Sequence, residues 1–88
     1  MYQLVLSQRF KKNLKDLSRK HPDMKISLRE RLSLLQENPG HPHLKTHKLT
    51  GKLKGFLALS ISYEFRLVFS IEDDQIHLLA LGTHDEVY

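Results

Sequence analysis

The stretch Gly55–Ile71, GFLALSISYEFRLVFSI, decides how this chain folds. Ile61, Tyr63, Phe65, Leu67, Phe69 and Ile71 are apolar and fall on alternate positions, with Ser62, Glu64, Arg66, Val68 and Ser70 between them. Alternation of aromatic and β-branched residues marks strand with one buried face. A single strand from Phe56 to Ile71 would span roughly 50 Å at about 3.3 Å per residue. A domain of this length has a radius of gyration of only about 12 Å, so the chain must turn back on itself. The polar break at Ser62–Glu64 is where it turns, which places Glu64 at or just past a hairpin turn. Glu64 and Arg66 are two apart and share the polar face. Arg66 is also the only Lys or Arg after Gly55. This pair is either a surface ion pair, worth at most about 1 kcal/mol, or part of a site.

Outward from the hairpin, the chain reads β-α-α-β-β-β. Tyr2–Leu6 is a short apolar first strand. Ser7 is placed to cap a helix whose stripe is Phe10, Leu14 and Leu17, ending near His21 before Pro22. Asp23 is the expected cap of a second helix carrying Met24, Leu28, Leu32 and Leu35, stopped by Asn38-Pro39-Gly40. His41–Lys54 reads as a loop leading into the hairpin. Glu72-Asp73-Asp74 makes a second reversal, Gln75–Leu81 is the last strand, and Gly82–Tyr88 is a tail. Helices followed by a strand meander predict an α+β domain spanning residues 1–88, with a helical hairpin on one face of a twisted antiparallel sheet. Glu64 and Arg66 then lie on the opposite face, open to the loop and the tail.

Composition narrows the class of function. The 88 residues include no Cys, so disulfides and Cys-based metal sites are excluded. No apolar run nears the length of about 18 residues that a membrane span needs, and MYQLVLSQRFKK lacks the apolar length of a signal peptide. A cytoplasmic protein without membrane attachment is expected. The net charge of +4 is unevenly spread. Residues 1–54 hold thirteen Lys or Arg against four acids, a balance of +9, and residues 55–88 hold one Arg against six acids, a balance of −5. The basic part fits a polyanionic partner such as nucleic acid or an acidic protein segment.

Three groups of residues converge on the open face in this reading: His47 with Lys45, Lys48, Lys52 and Lys54 from the loop, Glu64 and Arg66 from the hairpin, and His84, Asp85 and Tyr88 from the tail. His41, His43 and His47 have no acidic ligand near them and are surrounded by lysines, which disfavours metal binding; no cofactor is expected. Metal-free cleavage of RNA needs only a base for the 2′-OH, an acid for the leaving 5′-oxygen and cations for the phosphate. These residue types supply all three roles, and Tyr88 is placed to orient the phosphate or stack on a base.

The runs HKLTGKLKGF, YEFRLVF and GTHDEVY resemble the RelE/ParE superfamily of bacterial toxins, and most closely its YafQ-like branch, over essentially the whole chain. The resemblance implies a ribosome-dependent mRNA endoribonuclease of a type II toxin–antitoxin system, acting in the ribosomal A site and neutralised by a cognate acidic antitoxin. By position, His47 is similar to the loop histidine of YafQ-like toxins, Glu64 to their catalytic Asp, His84 to their C-terminal catalytic histidine and Tyr88 to a terminal aromatic. Arg66 resembles the strand arginine of RelE and YoeB, and Lys52 and Lys54 the basic pair of RelE. Ser60 stands where the YafQ hairpin has a second histidine, so either Glu64 or His47 is left as base, with His84 as acid. A ParE-like gyrase inhibitor without nuclease chemistry is the alternative on this fold, and a plain RNA-binding module a third.

Overall fold

The computed structural model describes residues 1–88. Its elements are β1 (Gln3–Leu6), α1 (Gln8–Lys20), α2 (Met24–Glu37), β2 (His47–Lys48), β3 (Leu57–Ser60), β4 (Phe65–Glu72), β5 (Gln75–Thr83) and α3 (His84–Val87), with short 3-10 turns at Pro42–Leu44 and Gly51–Leu53. The radius of gyration is 12.0 Å. No helix is long and apolar enough to cross a membrane.

Ser7 starts α1 as its position implies, its Oγ accepting from the Phe10 N–H at 2.9 Å. Asp23 does not cap α2. It is itself in the helical region (φ −64°, ψ −20°), its side chain makes no cap bond, and the helix is entered through a turn in which the Met24 N–H donates to the His21 carbonyl at 3.0 Å. The Asn38 side chain closes the far end by accepting from the Gly40 N–H. The stripes of both helices meet the sheet: Phe10, Leu17, Leu28 and Leu35 are buried with Leu59, Ile61, Phe65, Leu67, Phe69, Ile76, Leu78 and Leu81.

The fold is α+β. The sheet is mixed, in the order β1-β5-β4-β3-β2. The meander β3-β4-β5 and the two-residue edge strand β2 are antiparallel, but β1 pairs parallel to β5, Gln3 opposite Gln75 and Leu6 opposite Leu78. The expected all-antiparallel sheet therefore gives way at one strand. A meander leaves the outer edge of its last strand unpaired, and β1 fills that edge. Its nearly continuous apolar sequence fits β5 to this interior position.

A bulge shapes β5. Val68 pairs with Ala80 and Phe69 with Leu78, so Leu79 has no partner on β4. The extra residue switches which residues face the helices: Ile76 and Leu78 before it and Leu81 after it all join the main core. The freed backbone is satisfied from α1 and its cap. Ser7 Oγ donates to the Leu79 carbonyl at 2.8 Å, and the Leu81 N–H donates to Asn13 Oδ1 at 3.0 Å. The far face is not bare. Ala58, Val68, Ala80 and Val87 form a second, small core there, with Leu49 and Phe56 of the loop packed against it.

Candidate active site

The site lies where β3 ends, β4 begins and β5 ends. Ile61–Glu64 form the hairpin turn, as the polar break implies. It is pinned by the Ile61 N–H donating to the Phe65 carbonyl at 2.8 Å and by burial of Ile61, while Tyr63 is 96% exposed. Glu64 stands exposed at the end of the turn. Arg66 alternates with the buried Phe65 and Leu67 and so points away from the helices. It makes no ion pair with Glu64. Its Nη1 instead donates at 2.8 Å to Oγ of Ser60, its partner across the strands. The Glu64 carboxylate and the remaining Arg66 donors are thus left for a ligand.

The tail is held by several weak ties. Gly82 passes close under α3: a Cβ there would lie 3.0 Å from Glu86 Oε1 and 3.2 Å from Glu86 Cβ, so a side chain would press on Glu86 and shift it. The Thr83 N–H donates to Glu86 Oε1 at 2.8 Å in a capping-box arrangement. That backbone bond, then the Thr83 hydroxyl, and more weakly Lys20 and His21, hold the Glu86 carboxyl below the usual carboxylate range. Arg9 of α1 donates to the Glu86 carbonyl at 2.8 Å. Val87 enters the small core. His84 opens this single turn. Its ring meets Tyr88 edge to face at 4.5 Å between centroids, and its Nδ1 is 3.4 Å from Asp85 Oδ1.

One open cleft of about 950 Å³ gathers Lys45, Glu64, Arg66 and His84, together with Arg31, His43, Ser60 and Asp85. The other expected residues lie elsewhere. Lys52 and Tyr88 border a smaller hollow with Leu49 and Leu53, which adjoins the site through the His84–Tyr88 contact. Lys48 and Lys54 line a groove with Phe56 and Ile71. His47 is exposed on the edge strand β2, paired to Ala58, and does not border the main cleft. Nowhere do three His, Asp or Glu side chains gather as metal donors would. The His41 and His43 rings meet edge to face with centroids 4.8 Å apart.

The cleft thus offers a carboxylate, an imidazole and unpaired cations over a surface open to a chain-like anion. The sequence profile of the YafQ toxin, described as a bacterial toxin of type II toxin–antitoxin systems, matches residues 2–88. The chain belongs to the YafQ toxin family. Comparison with curated protein sequences gave no match. Among solved structures, a copper-bound mutant toxin from Helicobacter pylori superposes with a TM-score of 0.87 at 32% identity, each chain covered in full. YafQ from E. coli strain BL21(DE3) gives 0.86 at 23% identity, covering 100% of this chain and 99% of that one. The YafQ of the E. coli DinJ–YafQ complex gives 0.84 at the same identity and coverage. Within the cleft, Arg31 and His43 are residues that sequence reasoning misses. Arg31 is hidden inside a helix whose leucine stripe reads as core. His43 reads as one loop histidine among several.

Proposed function

We propose that this YafQ-family toxin is an mRNA endoribonuclease that cuts messages on the ribosome by metal-free acid–base chemistry. The observation that carries the reading is the cleft that brings Glu64, Arg66 and His84 together at the end of the sheet. In the reaction, Glu64 takes the proton of the 2′-OH, whose oxygen attacks the adjacent phosphorus. His84 gives a proton to the departing 5′-oxygen, leaving a 2′,3′-cyclic phosphate and a 5′-hydroxyl. Arg66, oriented by Ser60, neutralises charge growing on the phosphoryl oxygens, and Lys45 adds positive potential. Between the two candidate bases, geometry favours Glu64, which borders the cleft, over His47, which does not. Tyr88 acts by packing on the His84 ring, and Lys48, Lys52 and Lys54 carry RNA backbone beyond the cleft.

The partner that silences the toxin is an acidic antitoxin segment that folds over the basic surface. The family's place in toxin–antitoxin systems and the complex that E. coli YafQ makes with DinJ support this. Cleavage of mRNA on programmed ribosomes by His84→Ala tests the nuclease reading. Loss of cutting with antitoxin binding intact is expected. Full cutting would remove His84 from the chemistry and favour the gyrase-inhibitor alternative.

A further inference from the structure

The cleft is larger than the chemistry requires. At about 950 Å³ it sits at the top of the range that encloses a whole drug-sized ligand, and Glu64, Arg66 and His84 are only part of its lining. The lining also includes residues of α2 and the turn after it, and among these Arg31 is placed against its surroundings. It lies three residues after Leu28 and four before Leu35, both buried, so it shares the core-facing stripe of α2. A hydrophobe is expected at such a position. Arg31 is instead half-buried, its Nε is shielded from solvent without a hydrogen-bond partner, and no carboxylate pairs with it. A partly desolvated guanidinium with no counter-charge is costly to keep, and that same desolvation strengthens its attraction for an incoming anion. Lys45, which lines the same cleft, is held in the left-handed region at φ 50°, which few residues other than glycine adopt, by a turn whose Leu44 is buried.

We infer that Arg31, with Lys45, forms a second phosphate subsite that grips an mRNA phosphodiester neighbouring the one being cut. The planar guanidinium suits two phosphoryl oxygens at once. An RNA strand laid across the cleft presents one phosphate to Arg66 and a neighbouring one to Arg31 and Lys45. The subsite rests on the nuclease reading above and adds to it a residue that binds the message without reacting.

The test uses mRNAs on programmed ribosomes, each carrying one neutral methylphosphonate at a phosphate flanking the cut, under single-turnover conditions. For the wild type, one flanking position should raise the half-saturating toxin concentration about tenfold or more. For Arg31→Gln, half-saturation should rise by a similar factor with unmodified mRNA and should not worsen further with that methylphosphonate. The rate at saturation should stay within about twofold, and Arg31→Lys should restore part of the binding. Equal methylphosphonate penalties in wild type and Arg31→Gln at every position would overturn the subsite, as would wild-type binding by Arg31→Gln. Arg31→Met separates grip from architecture. It should melt no lower than wild type, since it removes an unpaired charge from an apolar stripe, and still bind poorly. A marked drop in its melting temperature would make Arg31 a structural residue. An active His84→Ala overturns the nuclease assignment, whereas uniform methylphosphonate sensitivity overturns only the subsite.

Discussion

The two faces of the sheet are built differently. The helix-covered face buries thirteen residues, all large, from both helices, the loop turn at Leu44, the hairpin turn at Ile61 and three strands. The far face buries four small ones, Ala58, Val68, Ala80 and Val87, and only Val87 comes from outside the sheet. The first core holds the fold. The second holds one turn of helix, and that turn carries His84. Stability and the position of the proposed acid are therefore secured by separate sets of contacts, and the two sets should fail separately.

The largest expected effect is on the first face. Phe69 is fully buried at the centre of the sheet, and Phe69→Ala should cost about 3–5 kcal/mol. That is a large share of the roughly 5–15 kcal/mol that holds a domain together. Urea unfolding should show a midpoint lowered by roughly a fifth or more, with cleavage lost in proportion to the folded fraction. On the second face, Val87→Ser should leave the midpoint nearly unchanged but lower cleavage on the order of a hundredfold, because a displacement of about 1 Å at a reacting group has that effect. Amide exchange should speed up at residues 84–88 while β4 stays protected. A global loss of protection in Val87→Ser would erase the distinction between the faces.

How much of this was legible in the sequence follows from the range of each interaction. The alternation through Ile61–Ile71 and the helical stripes exposed the first core, because a buried face imprints its period locally. The Ser7 cap and the break at Ser62–Glu64 are local in the same way. The parallel pairing of β1 with β5 joins Gln3 to Gln75, and no local signal encodes it. The bulge at Leu79 left no glycine or proline to mark it, and it changed which β5 residues face the helices. Gly82–Tyr88 read only as a tail, without its helical turn, because that turn has no apolar period. Its ties run instead to Arg9, 77 residues away, and to the small residues of the far face. Ala58 and Ala80 are too small to register as core in a sequence. For the site, Glu64, Arg66, His84 and Lys45 were legible as residues able to do the chemistry. Their meeting in one cleft, and the exclusion of His47 from it, depend on the strand register.

A smaller effect belongs to Arg9, whose guanidinium bonds the Glu86 carbonyl across the chain's two ends. It is one tie among several on an exposed surface, so Arg9→Gln should lower cleavage only a fewfold and leave urea unfolding unchanged. Combined with Val87→Ser it should add more than its own share, since both act on the same turn. Strict additivity in cleavage rates would show that Arg9 does not restrain the tail.

The finest division between the faces is electrical, and it lies in Glu86. Its carboxyl is held below the usual range, first by the Thr83 N–H and then by the Thr83 hydroxyl, with Lys20 and His21 adding weakly. A group whose folded pKa is lowered stabilises the folded form fully above its unfolded pKa, and that contribution fades as pH falls through the folded value. At neutral pH, and down to the ordinary glutamate range, the tie is therefore intact. Below that range the carboxylate takes up a proton, Thr83 loses its charged acceptor, and the turn bearing His84 loosens while the main core, which contains no ionisable group, is unaffected. Amide exchange followed from pH 7 toward pH 3 should show residues 84–88 losing protection first, with β4 as the internal reference. Glu86→Gln keeps an acceptor oxygen but not the charge. In that variant the tail should start less protected at neutral pH and show no acid transition of its own, with cleavage reduced about twofold to fivefold. If the tail of Glu86→Gln still loosened at the wild-type midpoint, the titrating group would be another carboxylate and Asp85, beside His84, would be the one to substitute next.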